Sequence, residues 1–345
     1  MAQFIDRKDD VGILSAGFCL PGDPVDISDW APRHGVQPEL VERLLANGCR
    51  YFHIGCDKSD AALIGNALDT LFNETPIDPA KIGYLLHAHS QNFSVPAPPS
   101  SILMEIAGRY SLSPKLSFSV SHLACASVIN AIMWASELLA TDDHAEYALV
   151  VTADRVFGNA KHRIRQDAGI QSDGASAILL SKKEFRCRLG RFGIKNFARL
   201  HEGPCSPTMA AAIARYTWLH TKQLLNEMHA DDDFQLDDYG AILPINADGA
   251  YWRYIAKGMA LPDSKFYLAN IGRRGHACCA DFAVNLVDYG FSLIDKGMPV
   301  LSCGQSNVGA HAALALLPVS STVSFGRRHD DIGFVQQGEL NGVCV

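Results

Sequence analysis

Short apolar runs alternate along the chain with longer stretches of helical periodicity. The runs at 82–87, 147–153, 176–181, 266–271 and 299–303 are rich in β-branched and aliphatic residues, and they predict strands. Helical spacing predicts helices over 60–72, 101–110, 126–140, 209–228, 249–259 and 281–295. Strands that alternate with helices imply an α/β fold in which helices cover a sheet. The Pro/Ser-rich stretch 94–101 reads as a loop inside a domain, and the acidic stretch 229–240 as a solvated turn.

The same pattern occurs twice. "CASVINAIMWASELLATDDHAEYALVVTADR" starts at Cys125, and "HACCADFAVNLVDYGFSLIDKGMPVLSCGQS" starts at His276. Each opens on a reactive residue, enters a helix apolar on most faces, passes a polar turn and ends in a buried-type strand. Helices of that kind are buried. Two similar halves, 1–185 and 186–345, are expected to pack about a pseudo-two-fold axis. That would set Cys125 and His276 at equivalent helix N-termini, facing one another.

Composition narrows the class. The chain has 345 residues, 48% hydrophobic and 19% charged, which suits a globular protein with a substantial core. A net charge of −7 argues against a general nucleic-acid binder. No apolar run reaches the ~18–20 residues needed to span a bilayer, and "MAQFIDRKDD" is too polar for a signal peptide. The ten cysteines are scattered through a long chain, so reduced thiols and a cytoplasmic location are expected.

Cys125, in "SHLACASVIN", lies just before a predicted helix. Free backbone N–H groups and the positive end of the helix dipole favour its thiolate, the form in which cysteine is nucleophilic. A small residue packed among alanines is the bland alternative. His276 follows Gly275 at the second helix start, and Asp281 falls in the first turn. Asp281 there stabilises the dipole, or its carboxylate orients His276 as in nucleophile–base–acid triads. A metal site is not expected, because the side chains of adjacent Cys278 and Cys279 diverge and no C-x-x-C or H-x-x-x-H spacing occurs. The paired cysteines read as packing residues. "GQSNVG" around Ser306 has Val308 at the second glycine position of a nucleophile elbow, and "SDGASAILLS" lacks the glycines and lysine of a phosphate loop.

Taken together, "SHLACASVINAI", "YALVVTADRV", "SDGASAILLS", "ILPINADGAYWRYIAKGMALP", "NIGRRGHACCADF" and "VLSCGQSNVGAHAALALL" resemble, in order and spacing, the β-ketoacyl-acyl-carrier-protein synthase III group of the thiolase superfamily. The resemblance implies a five-layered αβαβα fold and a homodimer. Condensing members of that group use a cysteine, a histidine and an asparagine. Here Ile245, in "PINAD", stands at the histidine position and His276 at the asparagine position. Isoleucine donates no hydrogen bond, and losing one oxyanion donor typically costs ~10²–10³ in rate. A histidine at the asparagine position, with aspartate five residues on, resembles instead the synthase III-like acyltransferases of polyketide and antibiotic pathways.

That resemblance implies an acyl-Cys125 intermediate drawn from an acyl-carrier-protein or coenzyme A thioester. His276 would act as base and Asp281 would hold its tautomer. The oxyanion hole would come from the backbone of Cys125 and of the Gln305–Ser306 turn. The acyl group would lie in an apolar channel and pass to a hydroxyl, amine or thiol acceptor. No metal and no cofactor beyond the thioester is implied. A carrier protein, being acidic, would need a basic dock, for which Arg155, Lys161, Arg163, Arg165, Arg253, Lys257, Arg273 and Arg274 are the candidates. The rival expectations are a decarboxylating condensing enzyme, an acyl-thioester hydrolase, and a non-catalytic partner subunit or carrier-binding module.

Overall fold

Strands buried on both faces organise the chain. The structure, a computed structural model, describes residues 3–5, 11–55, 57–90, 95–96, 99–165, 168–201, 203, 205–229, 234–323 and 325. In chain order the strands of the main sheet are β1 (Gln3–Ile5), β2 (Gly12–Cys19), β3 (Ile82–Ala88), β4 (Leu116–Val120), β5 (Tyr147–Asp154), β6 (Gly174–Ser181), β7 (Cys187–Asn196), β8 (Ala241–Pro244), β9 (Val300–Gln305) and β10 (Ala310–Pro318). Their spatial order is β8-β9-β10-β7-β2-β6-β5-β3-β4, and β1 pairs antiparallel with β7.

The order repeats itself. From β2, the pairs to β6 and on to β5 are antiparallel, and those to β3 and on to β4 are parallel. From β7, the pairs to β10 and on to β9 are antiparallel, and that to β8 is parallel. The two sets meet where Gly12 and Ile13 pair with Arg188 and Cys187. The strand expected over 266–271 would complete the second set, but it does not form. Phe266 makes one isolated parallel bridge to Ile242, and Ala269–Arg273 is helical. Helical winding there turns Asn270 inward, where its amide finds a buried partner in Asn285.

Three apolar cores separate the layers. Helices α1 (Asp60–Glu74) and α2 (Ile102–Arg109) cover the outer face of the first set, with Leu63, Leu68 and Ile106 on Leu85, Leu149 and Leu179. Helix α3 (Ser127–Ala140) and the helical run that opens with Asp281–Asn285 fill the middle, where Ile129, Ile132, Phe282 and Leu286 meet Leu86, Val150 and Leu314. Helices α4 (Pro207–Glu227) and α5 (Gly249–Gly258) cover the far face, with Leu224, Leu225 and Trp252 on Ile242, Leu301 and Ala313. The result is an αβαβα sandwich. Because β5 sends Ala148 and Val150 inward and Leu149 and Val151 outward, it reads as a continuous apolar run. Among the described residues no helix is long and apolar enough to cross a membrane.

The helices named above start in two ways. Ser59, Ser101, Ser206 and Asp248 cap the surface helices by accepting from a backbone N–H in the first turn. The two central helices have no side-chain cap. Each is entered through a non-glycine residue of positive φ, Ala124 (46°) or Cys278 (53°), and a short 3₁₀ turn, Ala124–Ala126 or Cys278–Ala280. Helix then begins at Ser127 or Asp281, with the same spacing in both halves. Cys125 therefore corresponds to Cys279, and Ser127 to Asp281. The expected equivalence of Cys125 with His276 is corrected: His276 precedes its turn in an extended segment. The helix expected over 281–295 also changes pitch, with a π-helical turn at Leu286–Gly290 before Phe291–Ile294.

Candidate active site

Cys125 and His276 come from opposite halves, and Cys125 Sγ lies 3.2 Å from His276 Nε2. On the other side of the ring, Nδ1 lies 2.5 Å from Asp281 Oδ2. A carboxylate accepts only, so Nδ1 carries a proton and Nε2 is the nitrogen that faces the sulfur. Asp281 is fully buried and also accepts from the backbone of Asn246 (2.6 Å) and Ala277 (2.7 Å) and from the Asn246 amide (3.2 Å). Asn285 donates to Asn246 Oδ1 (3.1 Å) and to the Pro244 carbonyl (2.6 Å), and Asn270 donates to Asn285 (2.9 Å). This chain of asparagines fixes the carboxylate that fixes the imidazole.

The backbone of His276 is strapped by the first half. Its N–H donates to the Ile170 carbonyl, and its carbonyl accepts from Ser172, each at 2.9 Å. Ser172 Oγ donates to the Arg274 carbonyl (2.5 Å) and accepts from His53 N–H (2.9 Å). Gly275, at φ 65°, passes so close that a Cβ would stand 2.7 Å from Ser172 Oγ. Only glycine takes both that conformation and that approach. The strap is anchored by Arg163, buried in a bidentate pair with Asp173 at 2.8 and 2.9 Å. Asp173 also accepts from Gly55 and Val156 N–H groups, both at 2.8 Å.

The adjacent cysteines do diverge, but one of them turns into the site. Cys279 Sγ approaches the Ala124 carbonyl (3.5 Å) and Ser90 Oγ (3.4 Å), and Ser90 Oγ also reaches Cys125 Sγ at 3.5 Å. Asp154 holds this corner by accepting from Ser90 N–H (2.7 Å) and Cys279 N–H (3.2 Å). Cys278 Sγ instead joins Cys125 Sγ and His276 Nε2, the three atoms all within 4.8 Å of one another. Reading both cysteines as packing residues is therefore corrected for Cys278.

Electrostatics favour a charged pair. A hydrogen bond from the Cys278 thiol lowers the Cys125 pKa most. Burial opposes it, and the His276 charge lowers it further, to well below the ordinary thiol value. For His276 burial is the largest effect and lowers its pKa. The Cys125 thiolate and the Asp281 carboxylate outweigh that and raise it to about 10. Both shifts favour a thiolate beside an imidazolium.

Ile245 stands at this pair. With Val128, Ile129, Leu243 and Phe282 it lines a cavity of about 10 Å³ that touches Cys125. That is room for about one water, far narrower than the channel the resemblance implies. The Ser306 N–H does not stand free as the expected oxyanion hole requires. Ser306 N–H is bonded to the Ala310 carbonyl at 2.7 Å, and its hydroxyl accepts from Ala310 N–H at 2.8 Å, closing the turn on itself. The sheet residue that faces Cys125 is Gly304, where a Cβ would stand 3.6 Å from the Cys125 carbonyl.

Most of the basic candidates are committed internally. Arg163 is part of the strap, Arg155 is nearly buried in an ion pair with Asp60, and Arg165 donates to Gln171 at 2.7 Å. Arg274 pairs with Asp288 at 3.0 Å. Arg253 is half-buried, and Lys257 and Arg273 are exposed. The Lys161 side chain lies outside the described residues. Among the described candidates Lys257 and Arg273 are therefore the exposed ones, while Arg155, Arg163 and Arg274 are held by carboxylates. Sequence reasoning did not pick out Ser90, Asn246, Asn270, Asn285 or Cys278. An asparagine inside an apolar run, as at 246 and 285, was the available signal.

Comparison with known structures places this architecture. The ChlB3 acyltransferase superposes with a TM-score of 0.77 at 16% identity, over 90% of this chain and 98% of that one. The 3-oxoacyl-(acyl-carrier-protein) synthase III of Aquifex aeolicus superposes at 0.73 and 14% identity, over 89% and 99%. The fold is that of the synthases III. AbyA1, a tetronic acid condensing enzyme, shares it at 0.71 and 18%, over 89% and 99%. Residues 50–215 match the family model of the FAE1/type III polyketide synthase-like proteins. 3-Ketoacyl-CoA synthase 17 of Arabidopsis thaliana is 30% identical over 147 residues, 41% of this chain and 29% of that protein. The matched segment thus spans under a third of the length of the curated relatives.

Proposed function

We propose that the protein is an acyltransferase. It moves an acyl group from a coenzyme A or carrier-protein thioester, through an acyl-Cys125 intermediate, to a hydroxyl, amine or thiol acceptor. The observation that carries this reading is the Cys125–His276–Asp281 relay with Ile245 beside it. The relay supplies a nucleophile and a base, and the isoleucine withholds the second hydrogen-bond donor that an enolate requires.

Two half-reactions follow from the charges. The Cys125 thiolate attacks the thioester carbonyl, and the imidazolium gives its Nε2 proton to the departing thiol. Once the sulfur is acylated, its negative charge is gone. His276 then loses the largest support of its raised pKa and is left as a neutral base. In the second half-reaction Nε2 takes the proton of the acceptor as the acceptor attacks the acyl-cysteine. Cys125 leaves as a thiolate, which restores the pair. The backbone N–H of Cys125, at the uncapped start of the central helix, is the oxyanion donor in this scheme. Asp281 keeps the proton on Nδ1 throughout.

Intact-mass spectrometry with a panel of acyl-CoA and acyl-carrier donors tests the proposal. The wild type should gain one acyl mass and lose it on addition of an acceptor, and Cys125→Ala should gain none. A wild type that gains no acyl mass from any donor overturns it. The similarity to the 3-ketoacyl-CoA synthases favours a second reading, decarboxylative condensation. Release of labelled carbon dioxide from a malonyl thioester, coupled to acyl-Cys125 consumption, would select that reading.

A further inference from the structure

Acyl transfer as drawn needs one thiol and one imidazole, yet a second thiol points into the site. We propose that Cys125, His276 and Cys278 together form a chelating site for a thiophilic divalent cation of the zinc class, and that the bound ion blocks the nucleophile. The three donor atoms lie within 4.8 Å of one another, with Cys125 Sγ and His276 Nε2 at 3.2 Å. A tetrahedral zinc ion ~2.3 Å from sulfur and ~2.0–2.1 Å from nitrogen sets neighbouring ligands roughly 3.5–3.8 Å apart, within small side-chain rotations of this arrangement. Two sulfurs and one imidazole also select zinc-like ions over magnesium or calcium.

The surroundings are those of a metal ligand as much as of a base. A metal-bound histidine usually donates its other ring N–H to a carboxylate, which fixes the ring and raises its basicity. His276 does this to Asp281 at 2.5 Å, and the carboxylate is itself held by Asn246 and Ala277. Cys278 keeps φ at 53°, a conformation that costs a non-glycine residue of order 1–3 kcal/mol, and this turn carries its thiol toward Cys125. Cys279 Sγ turns to Ser90 Oγ and the Ala124 carbonyl instead, so among the described residues the grouped donors number three and a fourth position is left to solvent or a further ligand. Binding is a proton exchange. Cys125 enters as thiolate, Cys278 loses its thiol proton, and His276 loses its Nε2 proton. Two protons therefore leave for each ion, and nothing is oxidised.

The metal is read with no substrate present, so this inference stands or falls apart from the acyl-transfer reading. Metal-free, fully reduced protein is titrated anaerobically with Co²⁺ and then with Zn²⁺. The expected result is one Co²⁺ per chain with thiolate-to-metal charge transfer and tetrahedral ligand-field bands, displaced by Zn²⁺. Cys278→Ser should weaken binding by more than ~100-fold, since losing even a partner outside the ligand set costs ~10–100-fold; Asp281→Asn should fall in that lower range. Equal binding by wild type and Cys278→Ser, or a cobalt complex without thiolate charge transfer, overturns the proposal. If Cys278→Ser does not fold, zinc-edge X-ray absorption of the wild type decides. Two sulfur ligands support the site, and one or none overturns it.

Discussion

Cys125 Sγ and His276 Nε2 face each other at 3.2 Å although 151 residues separate them in the chain. The contact favours two charges over two neutral groups, because the thiol is pulled down while the imidazole is pushed up. Alkylation of Cys125 by iodoacetamide should therefore stay fast well below the ~8.5 of an ordinary thiol. His276→Ala should move the midpoint of the pH–rate profile upward. A wild-type midpoint near the ordinary value would break the ion-pair description.

The same pair sets a pH signature on stability. The raised His276 pKa contributes stability that is complete below the unfolded value of ~6.5 and is lost as pH rises through about 10. The depressed Cys125 pKa contributes stability that is complete above the unfolded value of ~8.5 and is lost as pH falls. Between ~6.5 and ~8.5 the two slopes cancel, because the native pair and the unfolded groups hold the same number of protons. Denaturant melts of wild type and Cys125→Ala should differ by a constant amount in that window. The difference should shrink on either side of it; a difference sloping through the window would contradict the pairing.

Asp281→Asn should separate positioning from folding. The amide leaves Nδ1 without its anionic acceptor, and acylation and transfer should slow together by ~10²–10⁴, the usual contribution of acid–base catalysis. Asp281→Ala removes the acceptor of three donors besides His276, and each buried group left unpaired costs about 1–3 kcal/mol. A lower melting temperature for Ala than for Asn, with similar rates, is the expected pattern.

The cavity at Cys125 predicts short acyl groups. Only about 10 Å³ lies open beside the sulfur, and Ile245 forms one wall. Acetyl and propionyl donors should load faster than hexanoyl donors. Ile245→Ala should reverse part of that ranking at a stability cost of about 2–5 kcal/mol. Unchanged chain-length preference in the variant would show that the acyl group lies elsewhere.

Arg163 is predicted to matter through folding and not through partner docking. Removing it leaves the buried Asp173 carboxylate without its counter-charge, which costs about 3–5 kcal/mol. Arg163→Ala should lower the melting temperature and loosen the strap on His276, and neither effect should respond to salt in the manner of a surface contact.

Much of this was legible in the chain before folding. The strand Tyr147–Asp154 could be read because both of its faces are apolar. Cys187–Asn196 could not, because glycines and a fully buried Arg191 break its pattern. That arginine is satisfied by the Met228 carbonyl and the Phe325 ring, partners no local pattern reveals. That His276 and Asp281 act together was legible through the repeat of the Cys125 segment and the family resemblance, since their spacing alone fits dipole stabilisation as well. The strap from Ile170 and Ser172 was hidden, as was the direction of the Cys278 thiol, because each depends on contacts between distant segments. Ser306 misled for the opposite reason: its own N–H is taken by the Ala310 carbonyl within a local turn.

The strap has a consequence for a chain still being made. The nucleophile and the paired segments Ile164–Arg165 and Gly169–Ile170 are synthesised well before His276, and the imidazole can dock only after residues 276–281 have emerged. Until then Cys125 has no cation beside it and behaves as a plain thiol. Chemical competence thus arrives with the docking of His276 rather than with the first folded half, and a product that stops short of it carries a cysteine without its partner.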